Sequence, residues 1–402
     1  MFGMTASDGD GYEYRDALPE GLARRRAAGL NPGNRFEAVR LHVLGEWLDE
    51  LGKHEGDENW GSPPEPPPEP PPEPPPEPPP EPLPGALPGA ELFADRTRTI
   101  INRVAKTADV PFDWTLNPYR GCEHGCIYCY ARTYHEYLGF SCGLDFETKL
   151  IAKPDAPRLL VEELAKPSWK GEPIVMSAIT DIYQPIEKRL ELARQCVAVM
   201  ADCGQPVATL TKSALVLRDV DLWARMSKRN TGRVTVTLVT LDDQLAKDLE
   251  PRAASPARRL HVIRELTKAG VTVSVNIAPV IPGLTDNELP TILEAIADAG
   301  ARRVSWVTLM LPYQLKDLFL DWLRRYVPDR VGRVESLLRQ THGGKLYRAG
   351  PQGRRGRGTH AAQIAQVFDV FTRKHGLNRD VRPLRRDLFR KPTTDGQMAL
   401  FE

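Results

Sequence analysis

The chain has 402 residues, 41% of them apolar, with 54 Lys+Arg against 53 Asp+Glu. That is enough apolar material for a full core, and a net charge of +1 excludes both a wholly basic, histone-like protein and a wholly acidic disordered one. No run approaches the ~20 apolar residues of a membrane helix, Met1 to Asp10 lack the basic and apolar regions of a secretory signal, and six cysteines are too few for a disulfide framework, so a reducing cytoplasm is expected.

Residues 1–57 read as an N-terminal extension with one short helix. In Phe36–Leu51, Val39, Val43, Trp47 and Leu51 recur at i, i+4 and make one apolar stripe. Residues 58–90 are a Pro/Glu-rich linker. Its centre, 63–82, reads PPEPPPEPPPEPPPEPPPEP, with glutamates at Glu65, Glu69, Glu73, Glu77 and Glu81. Proline fixes φ and removes the amide donor, so neither helix nor strand is expected. A disordered, stiff acidic spacer in polyproline II is, extending roughly 60 Å at ~3.1 Å per residue. A docking site for a proline-binding module is the alternative.

From 91 to 345 strand and helix patterns alternate. Strands are expected at Trp114–Asn117, Pro173–Ile179, Val207–Thr211, Val234–Thr240, Val271–Ala278 and Arg303–Leu309. Helices follow near Tyr130–Tyr137, Glu187–Cys203, Asp219–Lys228, Pro256–Ala269, Asp286–Ala299 and Gln314–Arg325. Ser255 before Pro256 suits a capped first turn, and Gly270 and Gly300 suit helix ends. Six βα repeats imply an α/β fold with a parallel sheet, a partial (β/α)6 TIM-like barrel with its chemistry at the C-terminal ends of the strands. Residues 346–402 form a small basic C-terminal region. From Ala301 onward there are 21 Lys/Arg against 9 Asp/Glu. GRRGRG at 353–358 reads as a glycine-loosened basic loop, and Arg379, Arg382, Arg385, Arg386 and Arg390 follow.

The sharpest motif is Asn117-Pro-Tyr-Arg-Gly-Cys122-Glu-His-Gly-Cys126-Ile-Tyr-Cys129-Tyr-Ala-Arg132, a C-x3-C-x2-C spacing after the first strand. Gly121 and Gly125 supply backbone freedom to aim three thiolates at one place. Three thiolates hold three irons of a [4Fe–4S] cube and leave the fourth iron open. A zinc site completed by His124 or His135 is the alternative. Cys196 and Cys203 fall in a helix pattern and read as core thiols. Cys142 is either inert or a nearby hydrogen donor.

This loop, opening a six-fold βα repeat, resembles the radical S-adenosylmethionine (SAM) superfamily over roughly residues 93–345. Within it the chain is most similar to the spore-photoproduct-lyase-like branch, through Tyr128 and Tyr130, Thr180-Asp181-Ile-Tyr183-Gln-Pro-Ile-Glu187, Thr211-Lys212-Ser213 and Glu250-Pro-Arg252-Ala-Ala-Ser255-Pro256. The resemblance implies an enzyme with a [4Fe–4S] cluster on Cys122, Cys126 and Cys129. One electron from it cleaves SAM, and a 5′-deoxyadenosyl radical abstracts hydrogen from the substrate. It further implies SAM contacts from Thr180, Asp181, Lys212, Thr237, Arg252 and Ser255. Helix capping, for Thr180, Asp181 and Ser255, an exposed loop lysine, for Lys212, and a plain strand residue, for Thr237, are the ordinary structural readings of those residues. Val280 and Ile281 are expected to flank adenine. Tyr128 and Tyr130 match tyrosines that relay hydrogen in the resembled lyase, or they pack beside the cluster. The implied reductant is a flavodoxin or ferredoxin.

Two departures bear on the substrate. Met176-Ser-Ala-Ile-Thr-Asp181 stands where a glycine-glycine-glutamate strand is usual, and the hydrogen-donating cysteine of the lyase has no match. The chain ends Gly396-Gln397-Met398-Ala399-Leu400-Phe401-Glu402. Gln397, Leu400 and Phe401 resemble the short peptide by which bacterial repair proteins dock on the sliding clamp; the alternative is that they fold back on the barrel. Tail and basic region both point to DNA as partner, and a damaged base is the expected substrate class; a solvated arginine-rich surface is the alternative for the basic region. A small-molecule or protein substrate, and a non-catalytic metal-containing nucleic-acid or clamp adaptor, are the competing readings.

Overall fold

The computed structural model describes Ala28, Leu30, Pro32 and residues 90–105, 110–379 and 382–393. The helix expected over Phe36–Leu51, the proline-rich linker and the Gln397–Phe401 tail lie outside the described residues.

Ten strands follow in chain order: β1 (Glu91–Ala94), β2 (Ile101–Arg103), β3 (Trp114–Leu116), β4 (Tyr119–Arg120), β5 (Lys149–Ala152), β6 (Ile174–Met176), β7 (Val207–Thr211), β8 (Gly232–Thr237), β9 (Val273–Val280) and β10 (Arg303–Thr308). Seven of them form the main sheet in the order β10-β9-β8-β7-β6-β3-β2. The six expected strands are its parallel members, and each coincides with an expected run. β2 pairs antiparallel with β3 at one edge, where the Glu163 carboxylate accepts the amides of Ile100 and Ile101 at 2.8 and 2.9 Å. β10 is the other edge, so the described sheet is open. A separate small sheet, β1-β5-β4, has no counterpart in the sequence reading.

The helices pack outside through periodic apolar stripes. Leu289–Asp298 buries Leu289, Ile292, Leu293 and Ile296, spacings that keep one face on the sheet. Each such side chain contributes ~1.5–3 kcal/mol by burial. Ser255 caps Pro256–Lys268, accepting from the Arg258 amide at 3.3 Å. The expected helix over 130–137 is two short pieces, Arg132–His135 and a 3-10 turn at Glu136–Leu138.

The basic loop expected at 353–358 needs correction. Residues Pro351–Arg355 are helical, and Gly358–Lys374 is a long helix packed on Leu289–Asp298 and Val331–Thr341. The two glycines at positive φ, Gly356 (74°) and Gly358 (85°), make the break between helices and do not loosen a loop. Beyond it, Asn378 bonds both backbone groups of Val304 at 2.9 Å, which covers the β10 edge. Residues 382–390 then run past the N-terminal ends of β7 and β8: Arg385 N donates to Asn230 O and Arg390 N to Cys203 O.

Candidate active site: a cysteine loop laced to the strand ends

The cysteine loop leaves β4 as consecutive tight turns, with Gly125 N on Cys122 O (3.4 Å), Cys129 N on Cys126 O (3.2 Å) and Arg132 N on Cys129 O (3.2 Å), and is tied back by Cys122 N on Phe146 O (2.9 Å). Its shape is held from within by Arg132, which is fully buried. The guanidinium donates to the carbonyls of Cys126 (2.9 Å), Gly125 (2.9 Å) and Gly143 (2.8 Å) and pairs with Glu147 at 2.6 Å. A rigid five-donor fork suits this many fixed acceptors, as a lysine does not. Gly121 and Gly125 stand at φ +73° and +67°. A Cβ on Gly125 would meet Glu147 Oε2 at 2.8 Å, and one on Gly121 would meet Lys149 O at 2.9 Å. The N-terminal extension reaches this place too: Ala28 N donates to Glu147 Oε1 (3.3 Å), and Ser141 Oγ donates to Pro32 O (2.6 Å).

The residues after β6 close on the same loop. Thr180 Oγ1 donates to Gly121 O at 2.8 Å. Gln184 accepts the Glu123 amide at 2.9 Å. Asp181 Oδ2 accepts Lys212 N (2.7 Å) and Thr211 Oγ1 (3.1 Å), and Oδ1 accepts Tyr183 N (2.9 Å). His124 Nδ1 lies 3.3 Å from Asp181 Oδ2. Burial opposes charge on both groups. It is outweighed for His124 by Asp181 and the Cys122 sulfur, which push its pKa up to about 10. For Asp181 it is outweighed by His124 and the backbone amides, which hold the carboxyl below its ordinary range.

The third wall comes from β7, β8 and the segment after the helix Asp243–Leu249. Lys212 Nζ sits 5.7 Å from the centroid of the Tyr128 ring. Burial disfavours its charge, but Cys126 and Glu250 favour it more. The Tyr128 hydroxyl donates to Glu250, whose other oxygen accepts from Arg259. Arg259 also holds the carbonyls of Ala254 (2.7 Å) and Thr237 (3.1 Å). Backbone bonds finish the lacing: Ile127 N to Leu249 O (3.1 Å), Arg252 N to His124 O (3.4 Å) and Ala254 N to Lys212 O (3.1 Å).

The residues expected from sequence are thus largely gathered. Cys122, Cys126 and Cys129 are free thiols on one loop. Asp181, Lys212 and Arg252 are bonded into that loop or to one another, and Thr237 is buried at the end of β8. Ser255 is the helix cap described above and is solvent-exposed. Val280 and Ile281 are both buried. The two tyrosines differ: Tyr128 is 7% exposed and bonded to Glu250, whereas Tyr130 is 41% exposed, its hydroxyl donating to Ala178 O beyond β6. Arg132, Glu147, Glu250 and Arg259 were not singled out from sequence. Nothing in the local sequence marks them, since each charge is matched only by a partner the fold brings near. Cys142 is buried, with Sγ 3.5 Å from Gln314 Oε1.

The donor set fits an iron–sulfur cluster. Burial pushes the Cys126 and Cys129 thiols up, with Lys212 working against it at both. Coordination to a metal supplies the positive charge that holds them as thiolates. Among the described residues no three His, Cys, Asp or Glu side chains converge on a point for a single metal ion. A cluster taking one thiolate per iron needs no such convergence. His135, the alternative zinc ligand, is stacked on Phe140 and edge-on to Phe146 (centroids 5.1 and 5.6 Å). For a bound amino acid, Arg252 Nη1 is buried with no hydrogen-bond partner. A buried guanidinium nitrogen of this kind suits a carboxylate.

A family model described as the radical SAM superfamily matches residues 116–296. An uncharacterised protein of Mycobacterium tuberculosis is 38% identical over 256 residues, 63% of this chain and 73% of that protein. A protein of Pseudomonas phage M6 named radical SAM Nα-GlyT isomerase is 25% identical over 232 residues, 56% of this chain and 46% of its own length. Spore photoproduct lyase, solved with AdoMet and a dinucleoside spore photoproduct, superposes with a TM-score of 0.51 over 71% of this chain and 80% of that one, at 15% identity. That likeness is one of fold. Among the described residues no helix is long and apolar enough to cross a membrane.

Proposed function

The chain belongs to the radical SAM superfamily, and from that premise we propose that it abstracts hydrogen from a nucleic-acid substrate, in the manner of a repair lyase. The superfamily's [4Fe–4S] cluster and SAM are its cofactors. Cys122, Cys126 and Cys129 would hold the cluster. Lys212 and Arg252 would take the SAM carboxylate, with Thr180, Asp181, Thr237 and Ser255 lining or positioning that pocket. When bound, the pair supplies one electron and, by cleavage of the sulfonium C–S bond, a 5′-deoxyadenosyl radical.

The chain's own residues do the rest. Arg132 and Glu147 fix the loop that presents the thiols. Asp181 ties the β6 and β7 ends together, so that Lys212 is carried on a rigid support. Glu250 and Arg259 order the segment that carries Arg252. Tyr128 would act through that network, and Tyr130, the more exposed of the two, would meet substrate. A base in a duplex would have to be flipped out to reach the cysteine loop, at least cost where it is already damaged or unpaired.

The observation that carries the reading is the lacing of three separate sequence stretches, 176–187, 211–213 and 250–255, onto the one cysteine loop, 117–132, at the strand ends. The nucleic-acid substrate rests further on the basic C-terminal quarter and on the fold shared with a lyase solved with a dinucleoside photoproduct. A reductant of the flavodoxin or ferredoxin type, and clamp docking through Gln397, Leu400 and Phe401, belong to the same proposal. The test is anaerobic turnover with SAM, dithionite and DNA deuterated in its bases, with ultraviolet-damaged and intact DNA compared. Deuterium in the released 5′-deoxyadenosine is expected. Release without deuterium, and unaffected by DNA, would rule out a nucleic-acid substrate.

A further inference from the structure

Parallel strands are ordinarily covered on both faces and read as continuous apolar runs. β8, β9 and β10 alternate instead. Val234, Val236, Val273 and Val275 lie in one buried cluster with Ile263 and Leu266 of the helix Pro256–Lys268. Their alternates face the other way. Strand pairing sets these in two rows: Thr235, Ser274 and Arg303, and, nearer the C-terminal strand ends, Thr237, Asn276 and Ser305. Neither row holds an apolar residue. Thr235, Ser274 and Asn276 are partly exposed, and Ser305 is exposed.

The polar groups of this face are under-used. Ser305 Oγ donates to Asn276 Oδ1 at 2.9 Å. The hydroxyls of Thr235 and Ser274 and the amide nitrogen of Asn276 have no partner among the described residues. Two residues before Thr235, on the same face, Arg233 Nη2 donates to Arg382 O at 2.8 Å, and Arg303 reaches that oxygen at 3.4 Å. Arg233 Nε is buried with no hydrogen-bond partner. A guanidinium carries five N–H donors in a fixed fork, and the described residues engage only one of Arg233's.

These features select the occupant. Free hydroxyls and an amide match a polar molecule, whereas an apolar one would leave them unsatisfied. The orphaned guanidinium nitrogen matches an oxyanion. Arg233 and Thr237 are four residues apart, ~13 Å along a strand, and the Thr237 carbonyl is held by Arg259 in the wall of the cysteine site. The face therefore leads away from that site and has its positive charge at the far end.

We infer that the uncovered face of β8–β10 binds the polar part of the substrate, and that Arg233 takes an oxyanion, carboxylate or phosphate, at the end remote from the carbon that reacts. The site goes beyond the nucleic-acid reading and does not depend on it. A phosphate would come from a nucleotide, a carboxylate from an amino acid or peptide.

The test uses the full chain with its cluster reconstituted and SAM saturating, so that the carboxylate position at Lys212 and Arg252 is filled. Thermal unfolding is compared in chloride, inorganic phosphate and acetate at equal millimolar concentration and constant ionic strength. Phosphate or acetate is expected to raise Tm by about 2 °C or more over chloride, because a ligand that binds only the folded chain stabilises it. The larger rise tells a phosphate-bearing substrate from a carboxylate-bearing one. Arg233→Gln should abolish the rise, and Arg233→Lys, which keeps the charge without the fork, should retain part of it. Thr235→Val with Ser274→Ala removes two hydroxyls from the face that the helices do not touch. This double variant should fold like wild type and lose half of the rise or more, and it decides the question if Arg233→Gln proves too unstable to measure. A rise that persists in both variants is general anion stabilisation and would overturn the site, as would the lack of a rise in wild type. Deuterium transfer from DNA tests the nucleic-acid reading separately, so the two can fail independently.

Discussion

The carboxylate of Asp181 accepts the backbone amide of Lys212 at 2.7 Å, so two residues that sequence suggests as independent SAM ligands form one unit. The carboxylate holds the lysine's main chain, and the ammonium is left to lie over Tyr128 and toward Cys126. Asp181 therefore positions the β7 end as much as it offers charge. Asp181→Ala removes an acceptor from three protein donors and leaves His124 with a buried charge. A loss of about 3–5 kcal/mol is expected from a broken buried pair, read by urea denaturation, along with weaker SAM binding. Asp181→Asn, which keeps one acceptor oxygen, should recover part of the stability.

Glu250 and Arg259 make the second charged anchor, and both are almost fully buried. Glu250→Gln strands the guanidinium and should cost about 3–5 kcal/mol. Tyr128→Phe gives up one hydrogen bond to the same carboxylate and should cost about 1–3 kcal/mol. The ordering is what matters: if Tyr128→Phe proves as damaging to stability as Glu250→Gln, the carboxylate is not the hub of this wall.

The glycines of the cysteine loop have a geometric reason to be there. Gly125→Ala forces a Cβ against Glu147 in a left-handed backbone, which costs an L-residue about 1–2 kcal/mol before any clash. The variant should load less iron after reconstitution than wild type. Alanine at Gly139, where a Cβ meets nothing within 4 Å but φ is +80°, serves as the comparison for backbone strain alone. Equal iron loading by the two would mean that strain, not the fit against Glu147, limits assembly.

His135 gives a pH dependence. Burial lowers its pKa from 6.5 to about 4, so the folded protein resists taking up a proton that the unfolded chain accepts. Between pH 6.5 and 4 the unfolded state binds more protons, and stability falls as pH falls through that window. The shift corresponds to roughly 3 kcal/mol at most. His135→Phe keeps a ring between Phe140 and Phe146 and cannot titrate. Its unfolding midpoint should vary less than wild type's between pH 7.5 and 5, and parallel profiles would remove His135 as the cause.

Much of the barrel is legible in the chain because its strands are β-branched runs such as Val207–Thr211 and Val273–Val280, bounded by capped helices. The small sheet is not legible: β4 has two residues and β1 four, too few to show a period. The helix Gly358–Lys374 is hidden by the glycine-arginine stretch at its start, where Gly356 and Gly358 break one helix from the next. In the site, the three cysteines and their glycines are readable from spacing alone. Arg132–Glu147 and Glu250–Arg259 are not, because a buried ion pair leaves no periodic signature. The value of each charge depends on a partner that only the fold brings near. Tyr128 and Tyr130, two residues apart, read alike in sequence and separate only when one is buried and the other exposed.

The central claim is a site-differentiated cluster on Cys122, Cys126 and Cys129. Its most direct test is EPR of the anaerobically reconstituted, dithionite-reduced protein with and without SAM, alongside iron and sulfide analysis. About four irons and four sulfides per chain, with a [4Fe–4S] spectrum that changes on adding SAM and is lost in the triple Cys→Ala variant, is the expected result. One tightly held zinc with no cluster after reconstitution, or a cluster spectrum indifferent to SAM, would contradict it.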